Sequence, residues 1–327
     1  MPTVVTFGEA MIRLSPPNFA RLEQTRSLDV IVGGSELNIA VALSRLGTAA
    51  SWVSALPNNP LGRLVVNKGR ELGVDMSPVQ FTAGRCGLYF VEFGAKPRGS
   101  SVLYDRADSA VSRIKPGQFD WAKIFAGAKV FHTGGITPAL SDSAAEVCSE
   151  SMTAARKAGL KIGFDVNYRA KLWSQDKAHA VVHGLSDRID YLFTSEEDTK
   201  RVYKIEGKDY EEVCRKLVDK YGFKVVAITL REDLSVWKNN WTAIAFDGKQ
   251  FYRTHKYELE IVDRVGAGDS FTGGFLHGLL TGDVQKAVDW GTAISALKHS
   301  MPGDFNFATA EEVEALVKGG GSLRIAR

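Results

Sequence analysis

The run Asp263-Arg264-Val265-Gly266-Ala267-Gly268-Asp269-Ser270-Phe271, continuing into Thr272-Gly273-Gly274-Phe275-Leu276, decides how the chain is read. Three small residues in succession, Gly266, Ala267 and Gly268, let the backbone approach a bulky anion, and the apolar pattern that follows predicts a helix. The amino end of a helix carries unpaired N–H groups and a partial positive charge, so it holds phosphate without a lysine. Asp269 stands where that anion would bind. A carboxylate there repels phosphate; its useful work is to accept the proton of an attacking hydroxyl while backbone amides stabilise charge on the phosphoryl group in transit. An aspartate at a helix start is often only a cap. The longer pattern D-x-x-G-A-G-D-x-F, with a glycine two residues on, arises by chance in roughly one chain per million at average residue usage, and that favours chemistry.

Upstream of this run, apolar stretches rich in β-branched residues recur at 3–7, 51–56, 129–132, 160–166, 191–193 and 224–230. Between them lie amphipathic segments such as 143–157 and 210–221, with apolar positions three and four apart. Repeated strand–helix–strand order predicts a mostly parallel sheet covered on both faces, with ligands at the carboxyl ends of its strands. Two stretches break the rhythm. Residues 86–93 and 101–106 read as an antiparallel hairpin standing apart from the main sheet, and 241–257 as strands meeting at the Asp247-Gly248 turn. There is no internal repeat or flexible linker, and the tail from Gly319 is expected to be loosely ordered.

A chain of 327 residues, 44% apolar and 24% charged, accommodates one large α/β domain or two modest ones. A net charge of +3 without a basic block gives nucleic acid no electrostatic footing. Cys86, Cys148 and Cys214 are odd in number and far apart, which suggests neither a disulfide framework nor a zinc site. The start, MPTVVTFGEAMIRL, lacks a basic leader and an apolar core, and no stretch approaches a membrane span, so a cytosolic protein is expected.

The anion run resembles the second signature of the ribokinase-like (PfkB) carbohydrate kinases. The first signature is similar to Gly33-Gly34-Ser35-Glu36-Leu37-Asn38-Ile39-Ala40, continuing to Leu46-Gly47. Both stand in the expected order, and no G-x-x-x-x-G-K-[ST] occurs, which removes the P-loop kinases. The resemblance implies a single kinase domain over 1–327: a three-layer α/β/α sandwich with a mostly parallel central sheet, and a small β-sheet lid from segments at about 10–32 and 84–110. It implies Asp269 as catalytic base, the amides of Gly266, Ala267 and Gly268 as an anion hole, and ATP with magnesium. It also turns Gly33, Gly34 and Asn38 toward the sugar. The apolar neighbours of Asn38 explain a buried helix, but a buried amide still needs a partner.

Tyr104 and Arg106 share one face of the hairpin strand, and Arg169 follows the buried strand that ends in Asp165-Val166-Asn167. Two cationic forks suit an acid better than a neutral sugar. Several stretches, among them Tyr104-Asp105-Arg106 and Asp165-Val166-Asn167-Tyr168-Arg169, are similar to 2-keto-3-deoxygluconate kinases in particular. That similarity carries Gly34, Tyr89, Tyr104, Arg106 and Arg169 over as substrate contacts and implies a 6-phosphate product. On the nucleotide side it points to Ser195, Thr229, Arg231, Gly266, Gly268, Lys298 and Asn306, with Asp198 near magnesium, through water. A cationic helix end also accounts for Lys298 and His299. Ser195 stands where relatives usually carry asparagine. Arg264 replaces the usual threonine, which weakens the case for a monovalent-cation site at Asp263. A fructokinase, a ribokinase, a 2-keto-3-deoxygalactonate kinase and a non-catalytic sugar-binding homologue are the alternatives. The exposed lid predicts a homo-oligomer, most simply a dimer.

Overall fold

The computed structural model describes residues 1–319, so the tail expectation lies, apart from Gly319, outside the described residues. The chain opens with strands β1 (Val4–Phe7), β2 (Met11–Ser15) and β3 (Asp29–Gly33) and helix α1 (Ser35–Arg45). Strands β4 (Ala50–Val53) and β5 (Ala55–Pro57), helix α2 (Pro60–Glu71) and strands β6 (Gln80–Thr82), β7 (Gly87–Glu92) and β8 (Ser101–Asp105) follow. Next come α3 (Trp121–Ile124), β9 (Val130–Gly134), α4 (Ile136–Ala139), α5 (Asp142–Lys157) and β10 (Lys161–Asp165). After α6 (Gln175–Leu185) lie β11 (Tyr191–Thr194), α7 (Glu196–Asp198) and α8 (Tyr210–Tyr221). Strands β12 (Val225–Ser235), β13 (Lys238–Phe246), β14 (Phe251–Arg253) and β15 (Tyr257–Glu260) lead to α9 (Ala267–Thr281), α10 (Val284–His299) and α11 (Ala310–Val317).

The main sheet runs β14-β13-β12-β11-β10-β9-β1-β4, with β15 pairing on β13. It is parallel from β4 to β12 and antiparallel beyond. Strands β1, β4 and β9 are buried along their whole length, because helices cover both faces. Side-chain alternation sends Val5, Phe7, Val226 and Ile228 to one face, against Val147, Met152, Val182 and Leu217 of α5, α6 and α8. It sends Val4, Val225 and Ala227 to the other, against Leu37, Val41, Phe271, Phe275 and Val288 of α1, α9 and α10. This is the three-layer α/β/α sandwich of the ribokinase-like fold.

A second sheet, ordered β3-β2-β7-β8, stands beside it. The predicted hairpin is its β7–β8 half, with Leu88 opposite Asp105. Strands β2 and β3, within the segment at about 10–32 that the resemblance assigned to the lid, complete it. Two expectations need correction. Residues 51–56 are not one strand: β4 stays beside β1, while β5 leaves to pair with β6, at an edge that tolerates Pro57. The strand at 224–230 continues to Ser235 as one arm of a long hairpin, because β13 pairs with it from Phe246 back to Lys238. The Asp247-Gly248 turn forms as read: Asp247 Oδ1 accepts from the backbone N–H of Lys249 and of Gln250, each at 2.8 Å. No helix among the described residues is long and apolar enough to cross a membrane.

Helices α9 and α10 approach closely through glycines. A Cβ on Gly274 would collide with Ile294 and with the backbone of Trp290 and Gly291. Gly274→Ala is therefore expected to destabilise the fold by about 1–3 kcal/mol through overpacking, read from urea unfolding.

Candidate functional site

The parallel strands bring the residues after β1, β10 and β11 to one end of the sheet, where the amino ends of α1 and α9 also point. A cleft of about 320 Å³ opens there, between the main sheet and the four-stranded sheet. Gly266 precedes α9 with φ of +82°, a left-handed conformation glycine adopts without strain, and a Cβ there would collide with the Asp304 carbonyl. The first turn of α9 is pinned by Ser295, whose Oγ donates to the Ala267 carbonyl at 2.8 Å. Gly268 faces open space, so its backbone is free to meet an anion.

Asp269 lies in this first turn with its carboxylate held from α1. Ser35 Oγ donates to Oδ1 at 2.7 Å and Asn38 Nδ2 donates to Oδ2 at 2.6 Å. Asn167, itself left-handed with φ of +38°, donates to Ser35 Oγ at 3.1 Å. Burial pushes the Asp269 carboxyl above the usual aspartate range, while the Asn38 and Ser35 donors pull against that shift. Behind it, burial drives Glu36 to about 8, and burial with the charges of Asp269 and Asp198 drives Asp165 to about 8. Burial thus favours the neutral form of both, which lessens the negative charge around Asp269.

At the sugar end, the cleft is lined by Gly33, Gly34, Asn38, Tyr89, Tyr104, Arg106 and Arg169, the residues expected to share it. A Cβ on Gly34 would strike the Glu9 carbonyl, which explains the glycine there by close approach. Two details differ from the expected clamp. Arg106 is ion-paired with buried Glu9, which also accepts from Ser109 Oγ at 2.6 Å, so its charge is already balanced. Tyr89 stacks on Tyr104 with centroids 6.0 Å apart, but its hydroxyl is committed to Asp304. Arg169 makes no ion pair among the described residues and donates only to the carbonyl of Tyr168, at 3.1 Å.

On the opposite side of Gly268, a smaller cavity of about 130 Å³ gathers Asp165, Ser195, Asp198 and Thr229. Ser195 caps α7, its Oγ accepting from the Asp198 N–H at 3.2 Å. Burial raises the Asp198 carboxyl, whose Oδ2 accepts from the Tyr168 N–H at 3.3 Å. Among the described residues no cluster of three or more His, Cys, Asp or Glu could hold a metal by itself. Asp198 and Asp165 offer hard oxygen donors of the kind that suit magnesium carried mainly by phosphate and water.

Three nucleotide-side expectations are corrected. Lys298 is fully buried, its Nζ donating to the carbonyls of Asp263 (3.3 Å) and Met301 (3.0 Å), so it braces the anion turn from within. Asn306 is equally buried and spent on the Ile294 carbonyl and the Ala308 N–H, both at 2.9 Å. Arg231 lies on the extended β12 arm, paired with Asp233 at 3.2 Å. Asp263 is engaged within the protein: Arg13 reaches Oδ2 at 2.7 Å, the Gly303 N–H donates to Oδ2 and the Val265 N–H to Oδ1, at 3.0 Å each.

Arg13, Asp263 and Asp304 were missed as a group. The Arg13 guanidinium, fully buried on β2, also reaches Asp304 at 2.9 Å and so ties the four-stranded sheet to the anion turn. Nothing in the sequence pairs residues 250 or more apart. Ser35 and Asn167 sat inside quoted motifs, where their polarity next to Asn38 and Asp165 was the available signal.

Residues 1–310 match the model of the pfkB family carbohydrate kinases. The chain is 40% identical over 318 residues to a protein of Haloferax volcanii named 2-dehydro-3-deoxygalactonokinase, spanning 97% of each. It is 30% identical to the 2-dehydro-3-deoxygluconokinase of Bacillus subtilis, over 92% of this chain and 91% of that one. The crystal structure of 2-dehydro-3-deoxygluconokinase from Thermotoga maritima superposes with a TM-score of 0.95 at 42% identity, over 97% of this chain and 98% of the other.

The open space at Gly268 makes a specific prediction. Gly268→Ala should fold with unchanged or slightly higher stability, since alanine favours a helix by about 1 kcal/mol over glycine. Its turnover should fall by about 100-fold, the usual cost of an obstructed anion-hole donor. Thermal melting and initial rates measured on the same preparation separate the two effects.

Proposed function

The chain belongs to the pfkB family of carbohydrate kinases and is a phosphotransferase acting on a sugar hydroxyl; from that premise we propose that it transfers the γ-phosphate of ATP to the 6-hydroxyl of 2-keto-3-deoxy-D-gluconate or its galactonate epimer. The observation that carries the reading is the Asp269 carboxylate, held by Ser35 and Asn38 between an open anion turn and a sugar-sized cleft that contains Arg169. Relatives named for both epimers, at 40% and 42% identity, support the acid class without choosing within it.

Each Asp269 oxygen accepts one donor and keeps a lone pair for the acceptor hydroxyl. As the hydroxyl oxygen forms its bond to the γ-phosphorus, its proton passes to Asp269, and the bond from that phosphorus to the bridging oxygen of ADP breaks. The amides of Gly266, Ala267 and Gly268, at the positive end of α9, stabilise charge on the transferring oxygens. Magnesium, held through water by Asp198 and Asp165, would neutralise phosphate charge when bound. Arg169 takes the substrate carboxylate, and Arg106, oriented by Glu9, contributes hydrogen-bond donors to the hydroxyls or the carboxylate. The four-stranded sheet acts as the lid, and its outer strand β8, with Leu103 exposed, is the seam for a dimer. Free, buried Cys86, Cys148 and Cys214 suit a reducing cytoplasm.

The test couples ADP release to NADH oxidation with a panel of 2-keto-3-deoxygluconate, its galactonate epimer, gluconate, fructose and ribose. Preference for the keto-deoxy acids is expected, and Asp269→Asn should lose at least about 100-fold in kcat while still binding ATP. Preference for fructose or ribose would refute the acid reading, and full turnover by Asp269→Asn would refute the base. Silence on every acceptor would favour a non-catalytic sugar-binding protein.

A further inference from the structure

We propose that Arg264 binds the γ-phosphoryl group during transfer and neutralises the charge that builds on it, an assignment that rests on the kinase reading above. Arg13 is spent on Asp263 and Asp304, and Lys298 is buried among the same carboxylates. Arg106 is spent on Glu9, and Arg231 on Asp233. Among the described residues, Arg169 and Arg264 are the cations lining the cleft that have no carboxylate within ion-pair distance.

The two serve different ends of the reaction. Arg169 lies with the sugar contacts, whereas Arg264 begins the anion turn and lines the cleft with Gly266, Gly268 and Asp269. Its Nη2 donates to the Val236 carbonyl at 2.8 Å, at the tip of the β12–β13 hairpin. That single bond fixes the guanidinium and leaves its other donors unspent. Arg231, on the same hairpin, is near enough to disfavour the Arg264 charge, adding to the effect of burial. Arg231 is answered by Asp233, and Asp233 and Asp263 lie near enough to favour the Arg264 charge, but neither forms an ion pair with it, so its guanidinium is left for an anion.

The anion that fits is a polyphosphate. A guanidinium meets two phosphate oxygens at once, and charge on the equatorial oxygens peaks as the group moves between acceptor and ADP. Arg264 stands two residues before Gly266, so the chain supplies a cation at the start of the anion turn itself. The bond to Val236, in the turn between β12 and β13, holds the guanidinium beside the anion turn within the cleft.

Arg264→Met, Arg264→Lys and Arg264→Ala are compared with wild type using ATP, magnesium and the preferred acceptor. Arg264→Met is expected to lower kcat by about 10²–10³-fold, in the range for loss of one preorganised charge donor, with lysine recovering part of the loss. The acceptor KM should stay within about threefold if Arg264 serves the phosphoryl group and not the sugar. Added guanidinium should partly restore Arg264→Ala, and the melting temperature should not move, because the one hydrogen bond lost lies at the surface. A kcat within about threefold of wild type overturns the proposal. So does a lowered melting temperature with no guanidinium rescue, the behaviour of a mere hairpin anchor. Should wild type phosphorylate no acceptor, the kinase reading fails separately, and calorimetry with inorganic tripolyphosphate decides. Binding at least about tenfold weaker in Arg264→Met than in wild type supports the phosphate contact, and equal binding refutes it.

Discussion

A carboxylate at the amino end of a helix, in a place built to attract anions, is the constraint from which the rest of this molecule follows. As the proposed base, Asp269 would have to be buried enough to be basic and close enough to phosphate to take a proton, yet charged beside a charged ligand. Ser35 and Asn38 resolve the conflict by holding its two oxygens from α1, so that α1 and α9 must pack side by side at one end of the sheet. Glycines between α1, α9 and α10 permit that packing. The parallel strands then deliver Glu9, Asp165 and Ser195 around the same point, each from the carboxyl end of its strand.

Charge is managed by a second device. Breaking a buried ion pair by removing one partner costs about 3–5 kcal/mol, so a buried group such as Arg13 must stay matched. Arg13 bridges Asp263 and Asp304, Lys298 lies beneath the same turn, and Tyr89 completes the set through Asp304. The four-stranded sheet is thereby joined to the anion turn by ionic contacts as well as by packing. Among the described residues, the cations lining the cleft that have no ion pair are Arg169 and Arg264.

Much of this was legible in the amino-acid sequence, because the catalytic features are local. Gly266–Asp269 and Gly33–Asn38 are short runs in which backbone demands and chemistry coincide, and the alternation of strands with helices sets the layers. What stayed hidden was pairing across long separations. Arg106 looked like a free clamp until Glu9, distant in sequence, was found beside it. Lys298 and Asn306 look like surface polar residues at a helix end; burial turns them into internal braces for backbone carbonyls. Strands β2 and β3 are too short and mixed in pattern to read as strands by themselves, and only the resemblance pointed to a lid segment there.

The most direct measurement is the pH dependence of kcat/KM for phosphoryl transfer, which reports the free enzyme's essential base. Burial raises the Asp269 carboxyl, so the activity should fall on the acid side with a midpoint above the ordinary aspartate value of about 3.9. Removing a donor to the ionised form in Asn38→Ala should move that midpoint higher. A rate that stays level through the acid range, or a midpoint indifferent to Asn38, would contradict Asp269 as the group that takes the proton.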